Sequence, residues 1–434
     1  MHDILIKAKR VAEHAEVFRV TSKRTPVQFE ANRLKQIQTK ETTSTALRLI
    51  KNGKTGFAQT SGSIDDDTLI AMALDTCPFG AEAKFEFPNR TVFPPIAVFD
   101  PDIEKLSLDE MIELGQRLID AVKRHTPDIQ CEASVSKATA TVLVANTSGG
   151  EASYTRSAFS LGLEGVLIQD GEMLFVGDSD SSCHPIRDGK HIIADVIRQL
   201  DHAKRKAPIT TAHMPVIFTP QGIASAFISP LMVAFNGKMV LDGISPIRDK
   251  CGAQLFHKNL TLWDDATIPY QIGSSPCDDE GITSRRIPLI ENGIVSQFLY
   301  DLQTAALAKA QSTGSGHRGG GLPSPSPSSL IINEGTVTFA DMVKNTKEGL
   351  IIEQLMGAEQ GNVLNGDFSG NVLLGFKIEN GEITGRVKDT MVAGNVYTLL
   401  KDIEAIGSDA RWIGGMLYTP SLYCPKVSVA TKVS

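Results

Sequence analysis

At 434 residues the chain is too long for one ordinary hydrophobic core and is expected to divide into two or three domains. Hydrophobic residues at 41% and charged residues at 21%, with both signs interspersed, exclude an intrinsically disordered chain. A formal net charge of -7, with no basic run longer than Lys204-Arg205-Lys206, excludes the basic face that a dedicated nucleic-acid binder needs.

Ile4, Leu5, Ala8, Val11 and Ala12 recur at helical spacing, so a helix opens the chain, without the charged and long apolar regions of a signal peptide. Glu16 to Arg24 then alternates with the period of a strand, and two further strands flank Asn52-Gly53, a dipeptide that supplies the positive φ angles of a type I′ turn. Asp65 to Thr76 returns to helical periodicity with acidic residues in its first turn, where the helix dipole favours them. Pro78, Pro88, Pro94, Pro95 and Pro101 mark a linker or an extended crossing segment, so residues 1–100 read as an N-terminal α+β domain.

Ser107-Leu108-Asp109-Glu110 is a capping box, and the helix it opens carries an apolar stripe of Met111, Leu114, Leu118 and Val122. Strands follow from about Ile129, and a helix from about His191 to Lys204 closes a central α+β domain over 101–212. The order of elements repeats the first unit. Glu30-Ala31-Asn32 echoes Val144-Ala145-Asn146, and Asn52-Gly53 echoes Asp170-Gly171, as a duplication would leave and as chance also produces in β-rich chains. Residues 213–434 change to many short strands, with hairpins at Asn292-Gly293 and Asn380-Gly381 and helices near Gln221 to Phe235, Ala305 and Val396. The expected fold class is α+β: two small α+β units with antiparallel sheets, then a large β-rich, barrel- or sandwich-like C-terminal domain.

Six cysteines, spread singly, read as reduced thiols of a cytoplasmic protein, and no apolar run is long enough for a membrane span. Gly314-Ser315-Gly316-His317-Arg318-Gly319 matches G-x-G-x-x-G, but a helix precedes it and a Pro-Ser run follows, which is the wrong context for a dinucleotide site. The segment is either a surface loop or a cleft or subunit contact bearing His317 and Arg318. No His-Glu dipeptide exists, so no H-E-x-x-H zinc helix is present. Cys183, His184, His191 and Asp195 are close in sequence, and a polar helix start explains them better than a metal site, which needs three well-placed ligands. No G-x-S-x-G elbow marks a nucleophile. The sharpest acidic cluster is Cys277-Asp278-Asp279-Glu280-Gly281, either a solvated acidic turn or a cleft wall that meets a cation or a basic partner.

Asp278-Asp279-Glu280-Gly281 with the Asn292-Gly293 hairpin, the Gly-rich loop with its Pro-Ser repeats, and Gly349 to Gly357 resemble the central signature of the TldD/PmbA family. The resemblance continues through Asn365 to Gly370, Ile378 to Ile383, Ala393-Gly394-Asn395 and Thr419-Pro420-Ser421-Leu422. It is specific over roughly residues 215–434 and weaker before them. In that family TldD-type chains resemble zinc peptidases with His-Glu-x-x-x-His on the helix that opens the C-terminal domain. Here that helix reads Gln221-Gly222-Ile223-Ala224-Ser225-Ala226-Phe227, and Cys424 lies beyond where the family's further cysteine ligand would align.

The departure resembles PmbA/TldE-type chains. It implies a cytoplasmic, metal-free subunit, with no cofactor of its own and zinc only in a TldD-type partner, that encloses a cleft acting on small or unfolded peptides. Partners implied are a TldD-type subunit or a second copy of this chain, and a peptide; neither nucleic acid nor membrane is implied, and the family's older label, modulator of gyrase, finds no support in the charge balance. A hydrolase working alone through a non-metal nucleophile and a non-catalytic peptide-binding homodimer stay open. Asp278, Asp279, Glu280, Gly281, His317 and Arg318 are the candidate cleft or peptide-binding residues, expected to meet at one cleft of the C-terminal domain with His317 and Arg318 offsetting the acids.

Overall fold

The computed structural model describes residues 2–169 and 171–432. Strands β1 (His14–Glu30), β2 (Arg33–Ile37), β3 (Lys40–Lys51), β4 (Lys54–Ser61), β5 (Gln130–Asn146), β6 (Glu151–Gln169) and β7 (Glu172–Ser182) make one seven-stranded sheet among the described residues. Its order is β4-β3-β1-β5-β6-β7, with β2 against β1, so the first strand of each α+β unit lies at the centre and the later strands run outward on both sides. The seam is the antiparallel β1–β5 pair, in register from Glu16↔Asn146 to Phe29↔Ala133. Asn52 (φ 51) and Gly53 (φ 71) take the left-handed backbone that a type I′ turn demands. Of the Asp170-Gly171 turn, Asp170 lies outside the described residues.

Alternation along the strands assigns the two sheet faces. Val27, Phe29, Cys131, Ala133, Val135, Leu161 and Leu163 pack against the helices Leu108–His125 and Lys190–His202, whose buried stripes are Met111, Leu114, Leu118, Val122 and Ile192, Val196, Leu200. The capping box is formed, with the Ser107 side chain accepting from the Glu110 N–H at 3.2 Å. At the other end of β1, Val17, Leu47 and Leu49 pack against the helices His2–Ala8 and Asp66–Thr76. The opposite parity, Glu16, Arg48, Gln28, Glu132 and Glu164 among others, is left for the C-terminal domain and for solvent.

The remaining strands are β8 (Ala212–Phe218), β9 (Leu262–Asp265), β10 (Arg286–Glu291), β11 (Ile294–Val295), β12 (Gly316–His317), β13 (Ser324–Pro325), β14 (Leu330–Ile332), β15 (Glu348–Met356), β16 (Asp367–Glu379), β17 (Glu382–Arg386), β18 (Thr390–Asn395), β19 (Ala405–Ile406), β20 (Arg411–Ile413), β21 (Leu417–Thr419) and β22 (Leu422–Thr431). β15, β8, β22, β18 and β16 pair in that order, and β16 pairs back to β15, closing a barrel that leaves no free edge in the ring. A second sheet, β11-β10-β9-β14-β21-β20, shares its core. The α+β class with a β-rich, barrel-containing C-terminal region is therefore observed, and the two N-terminal units share one sheet.

The single helix expected from Gln221 to Phe235 is two, Pro220–Ala226 and Ile228–Phe235, meeting at Phe227. Pro230 explains the break, because its missing N–H is tolerated in a first turn and not in a helix interior.

Candidate functional site

Thr219 caps the Pro220–Ala226 helix directly after β8 by accepting from the Gly222 N–H at 3.3 Å. Gly222 lets this helix lie on β15, since a β-carbon there would strike the Ile352 carbonyl. Gln221 is thereby delivered to a groove of about 930 Å³ between the N-terminal sheet and the barrel. The floor is the outward parity of four adjacent strands: Gln28 and Glu30 of β1, Gln130, Glu132 and Ser134 of β5, Gly162 and Glu164 of β6, Phe175, Gly177 and Ser179 of β7. Gln354 and Leu373 come from the barrel side.

A polar network braces the wall at Gln221. Its side-chain amide donates to Asp178 Oδ1 at 2.7 Å, and Arg411 Nη1 donates to Asp178 Oδ2 at 2.9 Å and to Asp195 Oδ2 at 2.8 Å. Arg198 joins Asp195 (3.3 Å) to Glu353 (2.6 Å), and the Thr219 hydroxyl donates to Glu353 at 3.3 Å. Burial raises the Asp178 pKa, with Arg411 opposing and Asp195 adding to the rise. These groups, spread from residue 178 to residue 411 over five elements, orient Gln221 and close the end of the groove.

The helix at this wall carries no zinc ligand. The helix that the resemblance aligns with the zinc helix offers Gln221, Gly222, Ile223, Ala224, Ser225 and Ala226, and no histidine, cysteine or carboxylate. Cys424 is fully buried in the β22–β8 pair, and burial pushes its thiol up to about 12, which keeps it protonated. Among the described residues no group of three His, Cys, Asp or Glu side chains is placed to hold a metal ion. The Cys183 neighbourhood disperses: His184 meets Asp100 at 2.6 Å, His191 meets Asp180 at 3.2 Å, and Asp195 faces Arg411.

Asp278, Asp279, Glu280, Gly281, His317 and Arg318 do meet, but not in the groove. They form a buried seam between the C-terminal domain and the N-terminal sheet. The Asp279 N–H donates to the Gly316 carbonyl at 3.0 Å, the Gly316 N–H to Asp278 Oδ2 at 2.9 Å, and the Arg318 N–H to Asp279 Oδ2 at 2.7 Å. Gly281, at φ 76, turns the chain back. The expected charge partners differ. Glu280 is held by Arg48 at 2.7 Å and by the Leu302 N–H at 2.7 Å, while the Arg318 guanidinium pairs with Glu16. Glu16 and Arg48 are direct cross-strand partners on β1 and β3, 3.0 Å apart, so an acid-rich turn was drawn into the sheet by an arginine more than two hundred residues away.

His317 is turned from the acids toward the Ser328 hydroxyl at 3.0 Å, and burial lowers its pKa. Ser328 is itself buried, with its N–H bound by Asp264 at 2.8 Å, so this Ser–His contact pins the Gly-rich loop. Desolvation raises Asp278 well above the carboxylate range, and it pushes Glu280 up to about 7 against the pull of Arg48.

Sequence reasoning passed over Asp178, Glu353, Arg411 and the floor glutamates. Outward parity on alternating strands was the available signal, but it becomes a shared floor only once β1 pairs with β5.

Three family models match: PmbA/TldA metallopeptidase domain 1 over residues 15–76, the central domain over 101–199, and the C-terminal domain over 211–431. An uncharacterized protein of Methanocaldococcus jannaschii is 27% identical over 418 residues, 94% of each chain. Metalloprotease PmbA of Escherichia coli O157:H7 is 30% identical over 217 residues, 50% of this chain and 46% of that one. The crystal structure of TldE from Thermococcus kodakarensis superposes with a TM-score of 0.91 at 23% identity, covering 99% of both chains. With its C-terminal match alone spanning residues 211–431, the chain belongs to the PmbA/TldA metallopeptidase family.

Proposed function

We propose that this chain is the zinc-free, PmbA/TldE-type subunit of a cytoplasmic metallopeptidase complex, supplying a peptide-holding groove while a TldD-type partner supplies the metal. The observation that carries this reading is the Pro220–Ala226 helix: it stands at the wall of a peptide-sized groove and presents Gln221 where a zinc peptidase needs ligands. The expected result is fewer than about 0.1 zinc per purified chain after dialysis, because three ligands are needed for a catalytic site. Cleavage of an unfolded peptide should appear only when a TldD-type chain is added, and should vanish with chelator. One zinc per chain, or chelator-resistant cleavage by the chain alone, would overturn the proposal, the latter in favour of a non-metal nucleophile.

The partner face is expected to be apolar. Met356 and Met391 stand 56% and 44% exposed on the outside of the barrel, each opposite Asn371 in the β15–β16–β18 register, with Met232 and Leu364 also exposed. Such a surface favours association, and alone the chain is expected to form a two-fold homodimer. Light scattering at micromolar concentration checks this: twice the chain mass is expected, and a monomer would count against a shared partner face.

A further inference from the structure

We infer that the groove recognises a positively charged, extended polypeptide segment lying across the sheet face, an inference that rests on the peptide-holding reading above. Glu132 and Glu164 are direct cross-strand partners on β5 and β6, and Glu30 ends β1 one residue beyond the Phe29↔Ala133 pair, so three carboxylates form a row across three strands. Like charges directly opposite one another destabilise a sheet. Among the described residues no basic side chain lies within 4.0 Å of Glu132 or Glu164; Glu30 alone is paired, with the exposed Lys35 at 3.1 Å. All three glutamates are exposed on the groove floor. The fold thus keeps an unfavourable row of charge where an incoming cation would relieve it.

The rest of the floor fits a chain rather than a small ion. A β-carbon on Gly162 would stand 3.2 Å from Ser134 Oγ and 3.4 Å from Ser179 Cβ, so the floor beside the glutamates is kept flat by small residues. The edge of β7 is closed to strand addition at Gly177, whose N–H and carbonyl are taken by the Gln199 side-chain amide at 2.9 and 3.0 Å. That leaves the face of the sheet. Strands about 4.8 Å apart spread the three carboxylates over about 10 Å, so basic side chains at positions i and i+2 of an extended chain, on one face and about 6.6 Å apart, both fall within the row. Beside the row, the Val166↔Phe175 pair offers an apolar contact, with Phe175 37% exposed.

The test is fluorescence anisotropy with the full chain and three labelled short peptides. One carries two lysines in an i, i+2 pair and a phenylalanine; the second has glutamines and the third glutamates for the lysines. The lysine peptide is expected to bind about tenfold tighter than the glutamine peptide at low salt, with the gap narrowing as ionic strength rises. In the Glu132→Gln/Glu164→Gln variant the gap should close, and its thermal midpoint should not fall below the parent's, since repulsion is relieved. Phe175→Ala should weaken both peptides alike. Equal binding of lysine and glutamine peptides overturns the charge inference and leaves peptide holding intact. A gap that survives the double substitution puts the recognition elsewhere and overturns it too. No binding of any of the three overturns both.

Discussion

Replacing Arg48 with methionine is expected to lower the unfolding free energy by about 3–5 kcal/mol at pH 8, the range seen when one member of a buried ion pair is removed. Arg48 is 3% exposed between Glu16 and Glu280, each 0% exposed, and its guanidinium also lies 4.6 Å from the Phe85 ring centroid and 5.0 Å from that of Phe87. Methionine fills much of the volume and cancels none of the charge. The loss should therefore shrink at pH 5, where Glu280, left without its cation, can take up a proton, and adding Glu280→Gln should restore part of it. Urea unfolding of the single and double variants measures both effects. A loss below about 1 kcal/mol at pH 8 would place this network with solvated surface pairs. Because the pair joins β3 to the turn at Glu280, the variant should also expose the proline-rich crossing segment, which carries Phe85 and Phe87, to faster limited proteolysis.

Asp264→Asn is expected to stabilise the protein at pH 8 by up to about 4 kcal/mol and to have little effect at pH 4, at 1.36 kcal/mol per pKa unit. Asp264 is 1% exposed, and burial lifts its pKa from 3.8 to about 7 although the N–H groups of Ser328 and Ser329 donate to Oδ1 at 2.8 and 2.7 Å. A carboxyl with a raised folded pKa binds its proton more tightly when folded. Its burden on stability is absent below the unfolded value near 4, grows as pH rises, and is complete above about 7. Asparagine keeps an oxygen for both N–H donors and carries no charge. The difference between variant and parent, followed by urea unfolding across pH 4 to 8, isolates this group from Asp278 and Glu280, whose shifts have the same sign. A difference that does not change with pH would show that Asp264 stays ionised in its pocket.

What the sequence made legible was local. Asn52-Gly53, Asn292-Gly293 and Asn380-Gly381 all adopt positive φ at both residues, and the Ser107 capping box stands where its four residues placed it. Each depends on side chains a few positions apart. The acidic turn at Asp278 and the Gly-rich loop at Gly316 were also brought together, because the short helix Leu302–Leu307 returns the chain. What was hidden is set by distant pairing. Nothing near Glu280 announces Arg48, and nothing near Glu132 announces that Glu30 will lie beside it, because both follow from the register of β1 against β3 and β5. From sequence alone the buried seam reads as an open cleft for the same reason: three adjacent acids look solvated until Arg48 and the N–H groups of Gly316 and Arg318 that hold them are located.

That seam between β1 and β5 has a cost in time. During synthesis β1 is complete at Glu30, yet its partner is not finished until Asn146, so one long edge of the future sheet centre waits for more than a hundred further residues. At about 5–20 residues per second the wait is on the order of ten seconds, during which unpaired N–H and carbonyl groups from Glu16 to Phe29 are open to other nascent chains. Lys23 and Arg24 on the exposed middle of that strand are charges of the kind that keep bare edges from adhering to one another. A fragment ending near residue 100 would carry this edge permanently, and aggregation rather than an isolated N-terminal domain is its natural fate.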